Sequence, residues 1–301
     1  LPDLSHFAPT LKTFDASYNE INVIPKLPES IIRLYLQHNK IHNIKNFFIS
    51  NVVLADLSFN EIETLDDLPG FLERLDISHN KIHTVAPIIS ENIAWINFSN
   101  NFIESIPSTT IPEQLFSFNR ISQLPKCFFN SITLLDLSGN NLEELPAAVF
   151  TSESLVTIFA GFNNIKTLPI EAQTSKIRKL NLSFNPLSEN IIFPLNIESL
   201  YIDYCNLSTI PSINVDYQEL VELSAVGNHL KSIDNLIPKQ IQFINVSGNQ
   251  IESICWPTVI YKDLRYLDLS FNLIRNINDC FLNSRFPSLF YLDFSSNPID
   301  A

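Results

Sequence analysis

The amino-acid sequence predicts an α/β solenoid in which short parallel strands stack coil upon coil. The first observation is a recurring pattern, L-x-x-L-x-L-x-x-N-x-L, in which Ile, Val, Phe or Ala sometimes replaces Leu. The second is its period, since consecutive Asn positions lie 18 to 25 residues apart. The third is the alternation of apolar and exposed residues around positions four and six, which is typical of a strand with one buried face. A lone strand cannot bury these side chains, so stacked coils must share one core.

The composition supports one continuous folded body. The chain has 301 residues, of which 45% are hydrophobic and 17% are charged, so it is too apolar to be disordered. No Gly/Ser/Pro-rich linker interrupts the pattern, and we expect residues 1–301 to form a single solenoid of about 14 repeats. Neither end has the polar terminal unit that a repeat array needs, and the chain contains no Met. We therefore expect a fragment of a longer protein.

The ninth position of the repeat predicts a ladder of buried amides. An amide carries two donor hydrogens and an acceptor oxygen, so it can bond the turn backbone of its own coil and of the next one. Cys205 is the exception and can bond only weakly through its thiol, so we expect a looser turn there. The ladder positions are Asn19, Asn39, Asn60, Asn80, Asn101, Asn119, Asn140, Asn163, Asn185, Cys205, Asn228, Asn249, Asn272 and Asn297.

This pattern resembles that of leucine-rich-repeat proteins, whose periods run from 20 to 29 residues with Asn or Cys at the ladder position. The resemblance covers residues 11 to 301 and implies a horseshoe with a concave parallel sheet and a mostly extended or 3₁₀ convex side. The segment IPKLPESIIRLYLQHN resembles LP-rich units of bacterial effector proteins. Later units resemble intracellular eukaryotic arrays that precede a PP2C-type phosphatase or belong to a signalling scaffold. In the bacterial proteins the solenoid guides an attached ubiquitin ligase. No residue of either catalytic module is present in this sequence, so the resemblance implies only a possible neighbouring domain.

The convex side is expected to vary with the length of the unit. Units of 20 or 21 residues leave too little chain for a helix, whereas PAAVFTSESL and LNSRFPSL, in longer units, have room for a helical turn. Proline after the convex apolar residue, as at Pro146 and Pro169, favours an extended return and disfavours a helix. We expect the N-terminal half to be the more extended one.

The outward strand residues are the candidate partner-binding site. A net charge of −13 argues against nucleic acid, which is bound chiefly through Lys and Arg, and favours a protein partner of basic or mixed charge. Aromatic anchors with scattered charges are typical of such surfaces. The alternative interpretation of the acids is that LDLS is simply the consensus sequence of the repeat. The candidates are Tyr35, Asp56, Asp76, Trp95, Asp136, Phe159, Tyr201, Tyr266, Asp268, Tyr291 and Asp293.

Several other patterns favour structural interpretations. A row of aromatic and His residues directly precedes the ladder positions, where a ring can pack over the adjacent coil. The motif HNKIH occurs twice, but its His residues should diverge outside a helix, so no metal is expected. Four widely spread Cys predict reduced, packed thiols. The sequons at Asn97, Asn181, Asn206 and Asn245 arise from Ser near the turn and favour an unglycosylated, cytoplasmic (intracellular) setting, with an extracellular one left open.

No pattern indicates catalysis. The chain has five Gly and no phosphate-binding loop, nucleophile elbow or HExxH motif, so we expect no enzyme activity and no cofactor. No apolar run approaches the ~20 residues that cross a bilayer. Three alternatives to a signalling interaction module stay open: the recognition arm of a longer phosphatase or ubiquitin ligase, an extracellular receptor ectodomain, and a structural repeat without a partner. The oligomeric state is left open.

Overall fold

A computed structural model gives the fold in two compact units, Leu1–Asn141 and Leu142–Ala301. Each unit is a stack of short coils, and each coil contributes one three-residue strand to a parallel sheet. The structure describes residues 2–42, 44–45, 47, 50–65, 68–88, 90–107, 109–125, 131–210, 217–233, 238–254, 260–277, 281 and 286–300.

The first unit has seven described strands in its main sheet, in the order β1-β2-β3-β5-β7-β8-β9. Equivalent residues pair directly; Phe14 in the first strand lies opposite Leu34 in the next. The strands are β1 Thr13–Asp15, β2 Arg33–Tyr35, β3 Leu54–Asp56, β5 Arg74–Asp76, β7 Trp95–Asn97, β8 Glu113–Leu115 and β9 Leu134–Asp136.

The second unit repeats the arrangement with seven described strands in sequence order. Again one residue per coil faces its counterpart, as Leu267 faces Leu292. The strands are β10 Thr157–Phe159, β11 Lys179–Asn181, β12 Ser199–Tyr201, β13 Glu222–Ser224, β14 Phe243–Asn245, β15 Tyr266–Asp268 and β16 Tyr291–Asp293. The predicted parallel-strand solenoid is thereby confirmed.

The central residue of each main-sheet strand from β2 to β15 is buried in the core, whereas Phe14 of β1 is half-buried and Leu292 of β16 is exposed. Leu34, Leu75 and Ile96 have no exposed surface in the first unit, and Leu180 and Leu267 have none in the second. Gln114 occupies this position in β8 and is also fully buried. Its Nε2 donates to the Ile111 carbonyl at 2.7 Å, and its Oε1 has no partner in the described part of the chain. This is a polar exception in an otherwise apolar stack.

The convex side is mostly extended, as predicted. In the first unit β4 Thr64–Leu65 and β6 Thr84–Val85 form a second, two-stranded parallel sheet there. The two helices whose full length is described lie in the second unit: α1 Ala147–Phe150, within PAAVFTSESL, and a 3₁₀ helix at Ile170–Thr174. The first half of LNSRFPSL lies outside the described residues.

The expectation that proline disfavours a convex helix was wrong at two coils. Pro146 and Pro169 are themselves extended, with ψ of 155° and 159°, but a helix begins at the next residue in each case. Proline lacks a backbone N–H, and the first residues of a helix have no intrahelical acceptor for theirs. A proline at the boundary is therefore compatible with a helix that starts after it.

Candidate interaction face

The first and third residues of each strand lie on the side away from the core, and these residues form the surface that we call the sheet face. Most of them are exposed or half-buried, while Ser224 and Asp268 are buried. The sequence predicts this surface as the concave one. Along β2, Arg33 is exposed and Tyr35 half-buried, while Leu34 between them is buried. The turn after each strand, which contains the ladder position and which we call the corner, fixes where the strands end.

Where each strand ends, the ladder Asn satisfies three backbone groups. Asn60 Oδ1 accepts from the Ile41 N–H at 2.9 Å, and its Nδ2 donates to the carbonyls of Leu36 at 2.9 Å and Leu57 at 3.0 Å. Since Ile41 and Leu36 belong to the preceding coil, the expectation of a bond to the next coil was wrong in direction. Equivalent acceptor bonds are made by Asn39, Asn80, Asn101, Asn119, Asn140, Asn163, Asn185, Asn228, Asn249, Asn272 and Asn297.

The first ladder residue, Asn19, donates only to carbonyls of its own coil, those of Ala16 and Ser17. It is exposed, whereas the ladder Asn residues from Asn39 to Asn272 are buried. The inter-coil bonds and the burial of the amide thus occur together.

Cys205 replaces only the donor half of the amide. Its Sγ lies 3.3 Å from the carbonyls of Leu182 and Asp203, which correspond to the carbonyls that an Asn amide engages. The acceptor half is missing, and the N–H of Leu187 donates instead to the Asn185 carbonyl at 2.9 Å. The thiol is fully buried, and this burial raises its pKa to about 12. It is therefore a neutral packing group and weak donor.

The acids of the sheet face are tied to the corner through one carboxylate oxygen. Asp56 Oδ1 accepts from the Ser58 N–H at 3.0 Å and from its Oγ at 2.6 Å. This Asx-turn geometry needs an oxygen and no charge, because Asn97 makes the same bond to the Ser99 N–H. It recurs at Asp15, Asp76, Asp136, Asn181, Asn245, Asp268 and Asp293. The interpretation that these acids belong to the consensus sequence of the repeat therefore explains the role of one carboxylate oxygen of each acid.

The sheet face of the first unit carries one ring paired with a cation. The Arg74 guanidinium carbon lies 3.8 Å from the centre of the Trp95 ring, close enough for a cation–π contact. Below it, Asn97 Nδ2 donates to Asp76 Oδ2 at 3.2 Å, so both oxygens of that acid have partners within the chain. Arg74 was not among the predicted site residues.

In the second unit, Phe159 and Tyr201 flank a lysine from the strand between them. Lys179 Nζ lies 5.8 Å from the Phe159 centroid and 5.5 Å from the Tyr201 centroid. Burial, together with a hydrogen bond to Glu222, raises the pKa of the Tyr201 hydroxyl above its ordinary range. These three side chains form a cluster in which two rings share one cation of the chain.

Further along the second unit, three stacked rings form what we call the tyrosine ridge: Phe243, Tyr266 and Tyr291. Consecutive ring centroids are 4.3 Å apart with interplanar angles of 12° and 4°. The Tyr291 hydroxyl donates to Asp293 Oδ2 at 3.1 Å, which raises the pKa of the tyrosine to about 12. Hydrogen bonding from Ser295 lowers the pKa of the Asp293 carboxyl.

The sequence analysis left Phe243 and Lys179 out of the site. Both stand in the first position of a strand, in register with predicted residues. Comparing that position across three consecutive coils would have found the ridge, because one-to-one register brings equivalent side chains together.

The aromatic row before the ladder positions belongs to the corner. Tyr18, His38, Phe59 and His79 stack in sequence with centroid distances of 4.4, 4.2 and 4.0 Å. Every residue at this position has positive φ, and Gly139, Gly227 and Gly248 occupy it in other coils. A ring therefore stands where glycine would be least strained, and its stacking on the adjacent corner supports the structural interpretation.

The other patterns noted in the sequence, namely the HNKIH motifs, the cysteines and the apolar runs, form no additional binding site among the described residues. No group of His, Cys, Asp and Glu there could hold a metal ion, and the His38 and His79 rings are engaged in the stack. Cys127, Cys255 and Cys280 lie outside the described residues. None of the described helices is long and apolar enough to cross a bilayer.

Comparisons with known proteins find the same repeat. A family model described as Leucine Rich Repeat matches residues 131–152. Mouse lumican is 30% identical over 148 residues, which cover 45% of this chain and 43% of lumican. An adenylate cyclase of Schizosaccharomyces pombe is 26% identical over 188 residues, 56% of this chain and 11% of that protein. The chain thus spans less than half the length of either relative.

Among solved structures, YopM from Yersinia enterocolitica WA-314 has a TM-score of 0.72 at 23% identity, covering 97% of this chain and 66% of YopM. At that identity the likeness shows a shared fold. The recurring Asn-bearing pattern, the stacked parallel coils and these matches show that the chain has the leucine-rich-repeat fold.

Proposed function

We propose that this chain is a recognition module that binds a protein partner on its sheet face, with the second unit supplying the main anchors. The observation that carries the proposal is the tyrosine ridge. The fold does not require rings at these positions, because other coils place Thr13, Glu113 or Ser199 there. Tyr291 is exposed, and Phe243 and Tyr266 are half-buried. Accessible rings that the fold does not need are typical of interaction surfaces.

The sheet face is also rigid enough to act as a binding platform. Its side chains project from paired strands whose central residues, apart from those of β1 and β16, are buried, and whose ends are fixed by the Asn ladder. Binding to a preorganised surface loses less conformational entropy than binding to mobile loops. The predicted anchors Tyr35, Trp95, Phe159, Tyr201, Tyr266 and Tyr291 all occupy such positions.

The proposed module recognises a partner and carries out no reaction itself. The acids predicted with the rings, Asp56, Asp76, Asp136, Asp268 and Asp293, give the sheet face a negative bias and favour a partner with basic groups. Attachment to a longer enzyme, a signalling role and the intracellular setting stay predictions.

Site-directed photocrosslinking tests the proposal. A photoreactive phenylalanine analogue is placed either at Glu222, in a sheet-face strand, or at the exposed Glu252 outside the sheet, and each protein is irradiated in an extract of its source organism. We expect one discrete adduct from position 222 and none from position 252. The same adduct should disappear when Tyr266→Ala and Tyr291→Ala are added.

The two tyrosine changes should leave the cooperative unfolding transition in place, which shows that loss of the adduct is not loss of the fold. An adduct formed only from position 252, or one that persists at full yield without the two tyrosines, would contradict binding at this face.

A further inference from the structure

The hydroxyl hydrogens of the tyrosine ridge are already committed within the chain. Tyr266 donates to Asp268 Oδ2 at 3.4 Å, and Tyr291 donates to Asp293 Oδ2 at 3.1 Å. A phenol has a single O–H hydrogen and acceptor lone pairs, and an ionised carboxylate can only accept. The polar atoms that the ridge offers to a partner are therefore acceptors, and a complementary group must be a donor.

The two carboxylates are held in place by their other oxygen. Asp268 Oδ1 accepts from the Ser270 N–H at 2.9 Å and from its Oγ at 2.7 Å. Asp293 Oδ1 accepts from the Ser295 N–H at 2.7 Å. Each Tyr–Asp pair is thus a fixed acceptor group on its own strand, and neighbouring strands place the two groups about 4.8 Å apart.

The charge around the ridge is negative. None of the strand residues from β12 to β16 is basic, while Glu222, Asp268 and Asp293 are acidic. Arg265, one residue before β15, is exposed and forms no ion pair with a described residue. A cationic group approaching the ridge would meet no like charge on these strands.

Elsewhere on the sheet faces, rings are paired with cations of this chain. Arg74 covers Trp95, and Lys179 lies between Phe159 and Tyr201. Among the described residues no cation lies over the three rings of the ridge. The ridge therefore has the rings and the acceptors of a cation site whose cation the chain does not supply.

From this geometry we propose that the tyrosine ridge binds an arginine-bearing segment of the protein partner. The proposal rests on the proposed function, because it specifies the partner chemistry of the same face. Guanidinium suits the site better than ammonium, since its planar fork of five donors can bond two adjacent acceptor groups while its weakly hydrated faces contact aromatic rings.

The test uses the 301-residue chain and a displayed library of random 12-residue peptides. Peptides are selected on the chain, and the affinity of each enriched sequence is measured by fluorescence anisotropy. The decisive variant is the pair Asp268→Asn and Asp293→Asn, because Asn245 shows that this column keeps its turn bond with an amide. The matched control is Asp3→Asn with Asp300→Asn, which makes the same change of charge at two exposed positions outside the sheet.

We expect the enriched peptides to contain Arg and to bind at least tenfold more weakly to the Asp268/Asp293 variant, while the Asp3/Asp300 variant changes affinity by less than twofold. Replacing the Arg of a peptide by Lys or by citrulline should also weaken binding at least tenfold. Retained cooperative unfolding shows that the Asn variants are folded.

Three results would overturn the proposal: enriched peptides that lack Arg, equal losses in the two Asn variants, or a library that yields no peptide dependent on the ridge. If the enriched peptides lack Arg but their binding is abolished by Tyr266→Ala with Tyr291→Ala, the arginine inference is wrong and the sheet-face function is still supported. Peptides whose affinity is unchanged by those two substitutions would contradict both the arginine inference and the sheet-face function.

Discussion

The corner and the sheet face of one coil lie a few residues apart, yet the sequence varies very differently at the two. The ladder position is Asn in thirteen of fourteen coils, and the residue before it has positive φ in all of them. The outward strand residues range from Thr13 through Glu113 to Trp95. The corner must satisfy backbone groups that the turn removes from the sheet, whereas the sheet face is free to vary with the partner.

The largest expected effect comes from removing a corner amide. Asn140→Leu deletes the acceptor of the Ile121 N–H and the donor to the Phe116 and Leu137 carbonyls. Each buried backbone group left without a partner costs roughly 1–3 kcal/mol, so we expect a loss of about 3 kcal/mol or more despite the added apolar surface. Urea unfolding followed by circular dichroism measures it.

Asn141→Leu is the matched control, because Asn141 is exposed and outside the ladder. Its unfolding free energy should change by less than about 0.5 kcal/mol. Equal midpoints for the two Leu variants would show that the corner amide is no more important than a surface one.

The second effect tests the backbone conformation of the corner. Gly139 has a φ of +66°, and a Cβ there would lie 2.6 Å from the Phe118 ring. Left-handed backbone costs an ordinary residue about 1–2 kcal/mol, so Gly139→Ala should destabilise by at least that much in the same assay. Gly70→Ala is the control, since a Cβ at Gly70 meets no atom within 4 Å; a similar loss there would point to glycine flexibility in general.

A smaller effect of opposite sign is expected where the corner lacks its amide. Cys205→Asn supplies the acceptor that the thiol does not provide, and the Leu187 N–H could then bond it as in other coils. We expect a gain of about 1 kcal/mol in unfolding free energy, the net value of one hydrogen bond. Asn228→Cys is the reverse change and should destabilise, because Asn228 Oδ1 accepts from both Cys205 and Leu207 N–H groups. A loss at Cys205→Asn would mean that the coil has adapted to the thiol.

The corner could be predicted from the sequence more completely than the sheet face. The period of Asn and the alternation of Leu were enough to place the strands, since burial at position four recurs in all coils between the first and the last, and amide bonding at position nine recurs in all of these except the coil of Cys205. The direction of the ladder bonds was not predictable, because the pattern does not say which neighbouring N–H lies within reach. The commitment of the Tyr266 and Tyr291 hydroxyls to Asp268 and Asp293 depends on side-chain geometry that no spacing encodes.

The smallest expected effect separates the structural role of a sheet-face acid from its charge. Asp56→Asn keeps the oxygen that bonds Ser58, as Asn97 does for Ser99, so the unfolding free energy should change by less than about 0.5 kcal/mol. Asp56→Ala removes that oxygen and should cost about 1 kcal/mol. If both variants lost the same stability, the fold itself would need the negative charge at this position of the strand. If only the Ala variant is destabilised, the fold needs the oxygen alone, and the charge is available for recognition of a partner.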